Sequence, residues 1–520
     1  MGGWRRLLLV VAAGLVLAVV YIRLSMTSAL NSDSANILLA GSEMLHGNLL
    51  LHAWHASDVS FYSTEIPQYA LLTGIFGVHG QTAHIAAGMT YTLVFLLAVL
   101  LAQAGATDRR QALIRTLIAA GFLLAPALGE GVFALDLSVG HIGTSVLLLI
   151  TWLLLDWAER AGWARRPAPD RWLVPAVTAI LLAWVLVADP IVLIVGIAPL
   201  AAAGLVQVAV IAGSASGAWP DRLRAAWYPL SLIGAALAGY LLAAGAERVL
   251  QALGGYSVQA LPFTVLPLHD IIHNWPALWK VLDVYGASFP GVHGVPLVLA
   301  FLHLASVLVA VVALLTAALR FVRLPLVDQI LAVAIVVNIA LFVLTSASTQ
   351  APNEVAIIVP FSAVLAARQL AGLRWERAYA LAGILVLAGY AAGLGYELPQ
   401  APQPMTNTPL AAWLVGHHLD YGLSGYWTSS SVTVDSDGKA QVRALMQHTL
   451  ERDLWMSDGR WYDSRAHYAD FVVLDSTPGF YSHWEPVTLI RRYFGTPAQV
   501  YRTGPYTIEV WRHNLLADIP

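Results

Sequence analysis

The stretch LLLVVAAGLVLAVVYIRL, residues 7–24, is followed closely by NSDSANILLAGSEMLHG, residues 31–47. The first is an apolar run of 18 residues broken by one charge, Arg23, long enough to cross a bilayer core. The second opens with an acid, Asp33. Beyond it Ile37, Leu38, Ala40, Gly41, Met44 and Leu45 recur at helical spacing. The spacing predicts an amphipathic helix from Ala35 to His46, capped by Ser34 or Asp33 and stopped at Gly47-Asn48. The basic start Trp4-Arg5-Arg6 has the look of a secretory signal. The apolar core is longer than the roughly 7–15 residues of a signal peptide, however, and no A-x-A site follows it, so it reads as a retained first span.

Working outward, the composition agrees. Hydrophobic residues make up 58% of the 520 residues and charged residues only 11%, against about 25% in soluble proteins. Mean hydropathy is +0.68. This is a polytopic helical membrane protein, with the lipid bilayer as its solvent. A net charge of −3 gives no sign of a nucleic-acid partner, and the absence of cysteine excludes disulfides, thiolate metal sites and thiol nucleophiles. Apolar runs fall near 7–24, 82–103, 113–128, 141–157, 172–188, 191–211, 229–246, 296–319, 328–346, 353–371 and 378–396. These predict about eleven spans, with 66–80 a re-entrant or interfacial piece.

Charge orients the chain. With the N-terminus in the cytoplasm, the inner segments hold sixteen arginines, while the outer segments before residue 397 hold only Arg23, Arg248 and Lys280. That asymmetry predicts a cytoplasmic N-terminus and an extracytoplasmic tail. No histidine falls in an inner loop, so titratable chemistry gathers on the outer face.

Three outer pieces follow. The loop 25–81 carries the Asp33 helix and then His52, Trp54, His55, Asp58, Tyr62 and Glu65. The loop 247–295 places His269 and His273 four residues apart with Asp270 beside them, either a pair of metal ligands or an interfacial helix. The tail 397–520 holds 13 of the 31 acids and reads as a small α/β domain. It has strands at 429–434, 469–475 and 499–512, the last a hairpin turned at Thr503-Gly504-Pro505, and helices at 408–419 and 485–494. It lacks a phosphate-cradling glycine motif. Within it, Tyr426 and Trp427 either stack on a sugar face or fill the domain core.

Asp33 has two readings. It caps the helix, or it is a general base at the lip of a membrane cavity, taking a proton from an acceptor hydroxyl as a lipid-held group departs. Asp189-Pro190 and Asn353-Glu354 divide similarly between helix-end and cavity roles.

The layout resembles the GT-C superfamily of bacterial, polyprenyl-phosphate-sugar-dependent integral membrane glycosyltransferases. The likeness rests on SDSANILLAGSEMLHGN (32–48), FYSTEIPQYALL (61–72), DLSVGHIGTSVLLLI (136–150), VADPIVLIVGIAP (187–199), NEVAIIVPFSAVLAAR (353–368) and GLSGYWTSSSVTVDSDG (422–438). It implies a transmembrane GT-C-like domain over 1–396, including both outer loops, and an extracytoplasmic domain over 397–520, in a bacterial inner membrane. The implied reaction is sugar transfer from a polyprenyl-phosphate donor to a glycan, lipid or protein acceptor on the outer face. Asp33 matches the family's first-loop acid. Asp58 and Glu65 are placed for a second polar contact, and Asp136 and His141 lie in the second outer loop. The departing phosphate needs a cation, for which Arg248 and Lys280 are the candidates, or a divalent metal. Two departures stand out: a single acid at Asp33-Ser34 where many members have a pair, and Thr64-Glu65-Ile66-Pro67 where many have a basic motif. They leave room for a non-catalytic GT-C-shaped envelope-assembly protein. A transporter fits less well, because the acids sit at outer ends of spans and no repeat is present.

Overall fold

The computed structural model describes residues 3–126, 140–163, 170–214, 218–260, 263–349, 352–372, 376–479 and 483–520. The chain divides into two compact units. The first comprises Met1–Ser25, Ala87–Glu247 and Pro262–Gln400, and the second Met26–Ala86, Arg248–Leu261 and Ala401–Pro520.

The chain is mostly helical. Among the described residues seven helices are long and apolar enough to cross a membrane: Gly80–Gln103, Asp170–Ala188, Leu193–Ser214, Trp227–Ala252, Val295–Arg323, Leu326–Leu344 and Pro352–Leu370. The other four predicted runs are helical but fall short of that measure. Val10–Ser25 and Leu381–Glu397 are shorter apolar helices, and Arg109–Leu123 and Thr144–Arg160 have 15 and 17 residues. The structure therefore carries a multi-pass protein but not the number eleven.

In the first unit, Trp152, Tyr21, Tyr390 and Phe361 are fully buried among Leu, Ile, Val and Ala. The buried charges Arg368, Asp156 and Asp328 are paired, because an unpaired one is strongly unfavourable. Arg368 bonds Asp156 at 2.9 Å and also Asp328, and Asp156 accepts from Arg160 at 2.7 Å. The helix Leu173–Ala188 ends at Asp189, whose backbone is extended, and Pro190 prevents its continuation. The chain resumes through one π-helical turn, Leu193–Ile197, a local widening often found at functional positions.

The second unit holds all eight named strands: β1 (Trp54–Ala56), β2 (Ser257–Val258), β3 (Tyr421–Ser424), β4 (Gln441–Ala444), β5 (Ser457–Asp458), β6 (Phe471–Asp475), β7 (Gln499–Thr503) and β8 (Tyr506–Val510). One sheet runs β4-β3-β6-β8-β7, with β3 parallel to β4 and β6, and β6–β8–β7 antiparallel. The other runs β2-β1-β5, so residues from the segments 25–81 and 247–295 and from the tail share one small sheet. The expected hairpin at 503–505 and helices near 408–419 and 485–494 are present, as Thr408–Gly416 and Val487–Phe494.

The segment 429–434, expected as a strand, lies instead in the helix Tyr426–Asp435. Its hydroxyls return to carbonyls one turn back: Ser429 to Tyr426, Ser431 to Trp427, and Thr433 to Ser429, at 3.1–3.2 Å. Such bonds let Ser and Thr remain in a buried helix. The helix is the crossover that parallel neighbours β3 and β4 require.

Candidate functional site

The helix Ser32–Leu45 is capped by Asn31, whose side-chain oxygen accepts from the backbone N–H of Asp33 at 3.0 Å and of Ser34 at 3.4 Å. The cap thus falls before both residues expected to supply it. Asp33 occupies the first turn, where a carboxylate is favoured by the helix dipole. Its Oδ1 accepts the Tyr426 hydroxyl at 2.6 Å, and that same oxygen of Tyr426 accepts Asn36 Nδ2 at 3.2 Å. Burial pushes the Asp33 carboxyl above the usual carboxylate range, and the bonds from Tyr426 and Asn31 pull it partly back. A carboxylate held by a hydroxyl and raised by desolvation has the character of a general base.

Close packing positions this acid. The helix Glu65–Phe76 lies against Ser32–Leu45 at Gly41, where a Cβ would stand 2.8 Å from the Ala70 backbone nitrogen. Glu65 is 2% exposed and bonded to the Thr64 hydroxyl, and Asp58 is half-buried between β1 and that helix. Farther along the Asp33 helix, Glu43 meets Arg460 at 2.6 Å, and Arg460 is also paired with the fully buried Asp458 of β5. Arg443 lies 4.1 Å over the Trp461 ring. These tail cations were not among the expected site residues. Tyr426 and Trp427 are half-buried and meet edge to face at 5.1 Å.

His141 belongs to a separate constellation in the first unit. Its Nδ1 lies 2.8 Å from Asp189 Oδ2, and its Nε2 lies 3.5 Å from Glu354 Oε2. Thr144 donates its hydroxyl to the same Asp189 oxygen, and Ile191 N–H donates to Oδ1 at 3.0 Å. His141 is buried and holds φ at +64°, a left-handed conformation unusual for a side-chain-bearing residue and concentrated at functional sites. Both ring nitrogens face carboxylates, an arrangement suited to the doubly protonated ring. Asp136 lies outside the described residues.

Of the remaining candidates, Arg248 belongs to the second unit, and Lys280, His269 and His273 belong to the first. Arg248 is exposed and makes no bond to Asp33. Lys280 sits half-buried on the helix Ala277–Val284, where burial lowers its ammonium below the usual lysine value against the pull of Asp283. His269 and His273 are exposed with rings 4.6 Å apart, and His269 bonds Asp270 at 3.2 Å. Among the described residues no group of three or more His, Asp or Glu is arranged to hold a metal ion.

No protein-family model matches the sequence, and a sequence comparison with curated proteins returns no match. Solved structures give a clear result. The chain is similar to ArnT from Cupriavidus metallidurans bound to undecaprenyl phosphate over 98% of both chains, at 12% identity and TM-score 0.57. The apo form of that protein gives 0.52 at 12% identity, over 98% of this chain and 97% of that one. The Archaeoglobus fulgidus oligosaccharyltransferase tethered to an acceptor peptide gives 0.50 at 13% identity, over 91% of this chain and 70% of that one. The chain shares the GT-C fold of these structures.

Proposed function

We propose that this protein transfers a sugar from a lipid-phosphate donor to an acceptor on the outer face of the membrane, with Asp33 as general base. The observation that carries the reading is the Asp33 carboxylate, relieved of the capping role by Asn31 and held by the Tyr426 hydroxyl. It occurs in a chain whose fold extends over the full length of a protein solved with undecaprenyl phosphate. In the step, Asp33 takes the proton from an acceptor hydroxyl. The acceptor oxygen forms its bond to the anomeric carbon, while the bond from that carbon to the phosphate oxygen breaks and its electron pair leaves on the lipid phosphate. A cation stabilises that phosphate. Lys280 and Arg248 remain the candidates from the outer loops, and a divalent metal is the other solution.

The single acid at Asp33-Ser34 and the exposure of Arg248 motivate a second reading, a non-catalytic member of the fold. The test is transfer of radiolabelled sugar from a panel of polyprenyl-phosphate sugars by membranes containing wild type or Asp33→Asn at equal protein level. Transfer by wild type and none by the variant supports the base. An equally active variant removes Asp33 from the mechanism. A wild type inactive on every donor supports the second reading.

A further inference from the structure

A groove of about 870 Å³ lies in the first unit between the helices Leu173–Ala188 and Trp227–Ala252, within the roughly 300–1,000 Å³ of ligand pockets. Small residues shape it. The two helices touch at Gly239, where a Cβ would come within 3.1 Å of the Ala179 carbonyl oxygen and the Leu182 Cβ. Toward the Trp227 end a Cβ on Gly234 would meet nothing within 4 Å. Between Trp227 and Ala238 the helix rises roughly 16 Å, about half of the ~30 Å hydrocarbon core. The groove is therefore one leaflet deep.

Its mouth is cationic. The Arg171 guanidinium lies 5.3 Å from the Trp172 ring and 5.2 Å from the Trp227 ring. Its Nε is buried with no hydrogen-bond partner. Arg224, across the mouth, holds an exposed ion pair with Asp221 at 3.2 Å, a weak contact that a phosphate can displace. The arginine distribution expected of a cytoplasmic N-terminus puts this mouth at the inner surface.

We propose that the groove binds a bilayer phospholipid with an anionic headgroup, its phosphate on Arg171 and Arg224 and one acyl chain along the Ala179–Gly234 floor. Charge selects the headgroup, and the one-leaflet depth selects an acyl chain over a longer isoprenoid.

Full-length protein in detergent micelles, titrated with phosphatidylglycerol, phosphatidylcholine or undecaprenyl phosphate and read by native mass spectrometry, tests this. Phosphatidylglycerol is expected to outcompete phosphatidylcholine. Arg171→Gln with Arg224→Gln lowers its affinity by about fivefold per arginine, about 25-fold together. Gly234→Leu fills open space, does not lower thermal stability and removes the bound lipid, so the test stands even if the arginine variant fails to fold. Equal binding of the two phospholipids, unchanged affinity in Gly234→Leu, or displacement of phosphatidylglycerol by equimolar undecaprenyl phosphate overturns the proposal.

Discussion

Tyr426→Phe separates a catalytic carboxylate from a structural one. The substitution keeps the ring, and with it the edge-to-face contact with Trp427, but deletes the hydroxyl that donates to Asp33 at 2.6 Å and accepts from Asn36. A bond of that length to a carboxylate is charge-assisted, worth ~1.5–3 kcal/mol. Its loss destabilises the ionised form of Asp33, which burial already disfavours. A general base works deprotonated, so activity rises with pH through its ionisation, and removing a donor to the anion moves that rise to higher pH. At a fixed pH on the acid side the rate falls by ~10- to 100-fold, and it recovers as pH is raised. The assay is a pH profile of sugar transfer for both proteins, with protein level measured beside it. A Tyr426→Phe profile that coincides with wild type refutes the base. So does one lowered by the same factor at every pH, which indicates a structural role alone.

Other outcomes follow from the same geometry. His141→Ala leaves Asp189 and Glu354 without their shared cation, which costs ~3–5 kcal/mol for a buried pair; thermal unfolding in detergent reads it, and an unchanged midpoint sinks the ion-pair account. Gly41→Val drives a side chain against the Ala70 backbone and destabilises by ~1–3 kcal/mol, with a parallel loss of transfer if that packing positions Asp33. Burial raises the Asp435 carboxyl from 3.8 to about 6, with the Thr408 hydroxyl opposing. The folded state then binds the extra proton, so this group's contribution to stability falls as pH rises from about 4 through 6. Asp435→Asn flattens that slope and stabilises at neutral pH by about 1 kcal/mol, the full linkage value of ~3 being reduced by partial exposure. The chain has no cysteine, so an impermeant maleimide on intact cells tests orientation: Asp437→Cys labels directly and Ser214→Cys only after lysis, and the reverse result inverts the topology.

How much of this could be read from sequence depended on whether a feature was local. Apolar runs, the 503–505 hairpin and the helix behind Asp33 are short-range patterns and were legible, although that helix begins at Ser32 rather than Ala35 and the run expected at 113–128 is the helix Arg109–Leu123. The cap went to Asn31 because Asn, Ser and Asp stand side by side at 31–33 and all accept from a helix N-terminus. The residues of SSSVTV read as a strand because Val432, Thr433 and Val434 are all β-branched. Hydroxyl bonding within the buried helix and its place between β3 and β4 decided otherwise. Strands β1, β2 and β5 have only two or three residues, too few for any period to register. Their pairing is nevertheless what brings Arg460 to Glu43. His141, Asp189 and Glu354 each stood out alone, but 48 residues separate the first two, and only helix packing makes them neighbours.

Opposing influences act on Asp33. Removal from water raises the carboxyl, while the Tyr426 hydroxyl and Asn31 favour the anion, as does the positive end of its own helix. Had Asp33 been the cap, its oxygens would have been spent on backbone N–H groups and the carboxyl driven low, leaving a weak base. Placed after the cap, it keeps the dipole and gives up the N–H bonds. Asn31 is thus as much a part of the proposed chemistry as Tyr426. An Asn31→Ala variant, in which Asp33 is free to cap, is expected to lose transfer out of proportion to the ~1 kcal/mol that a missing cap costs in stability. If transfer survives at wild-type rate in a folded Asn31→Ala protein, the division of labour between the two residues is wrong.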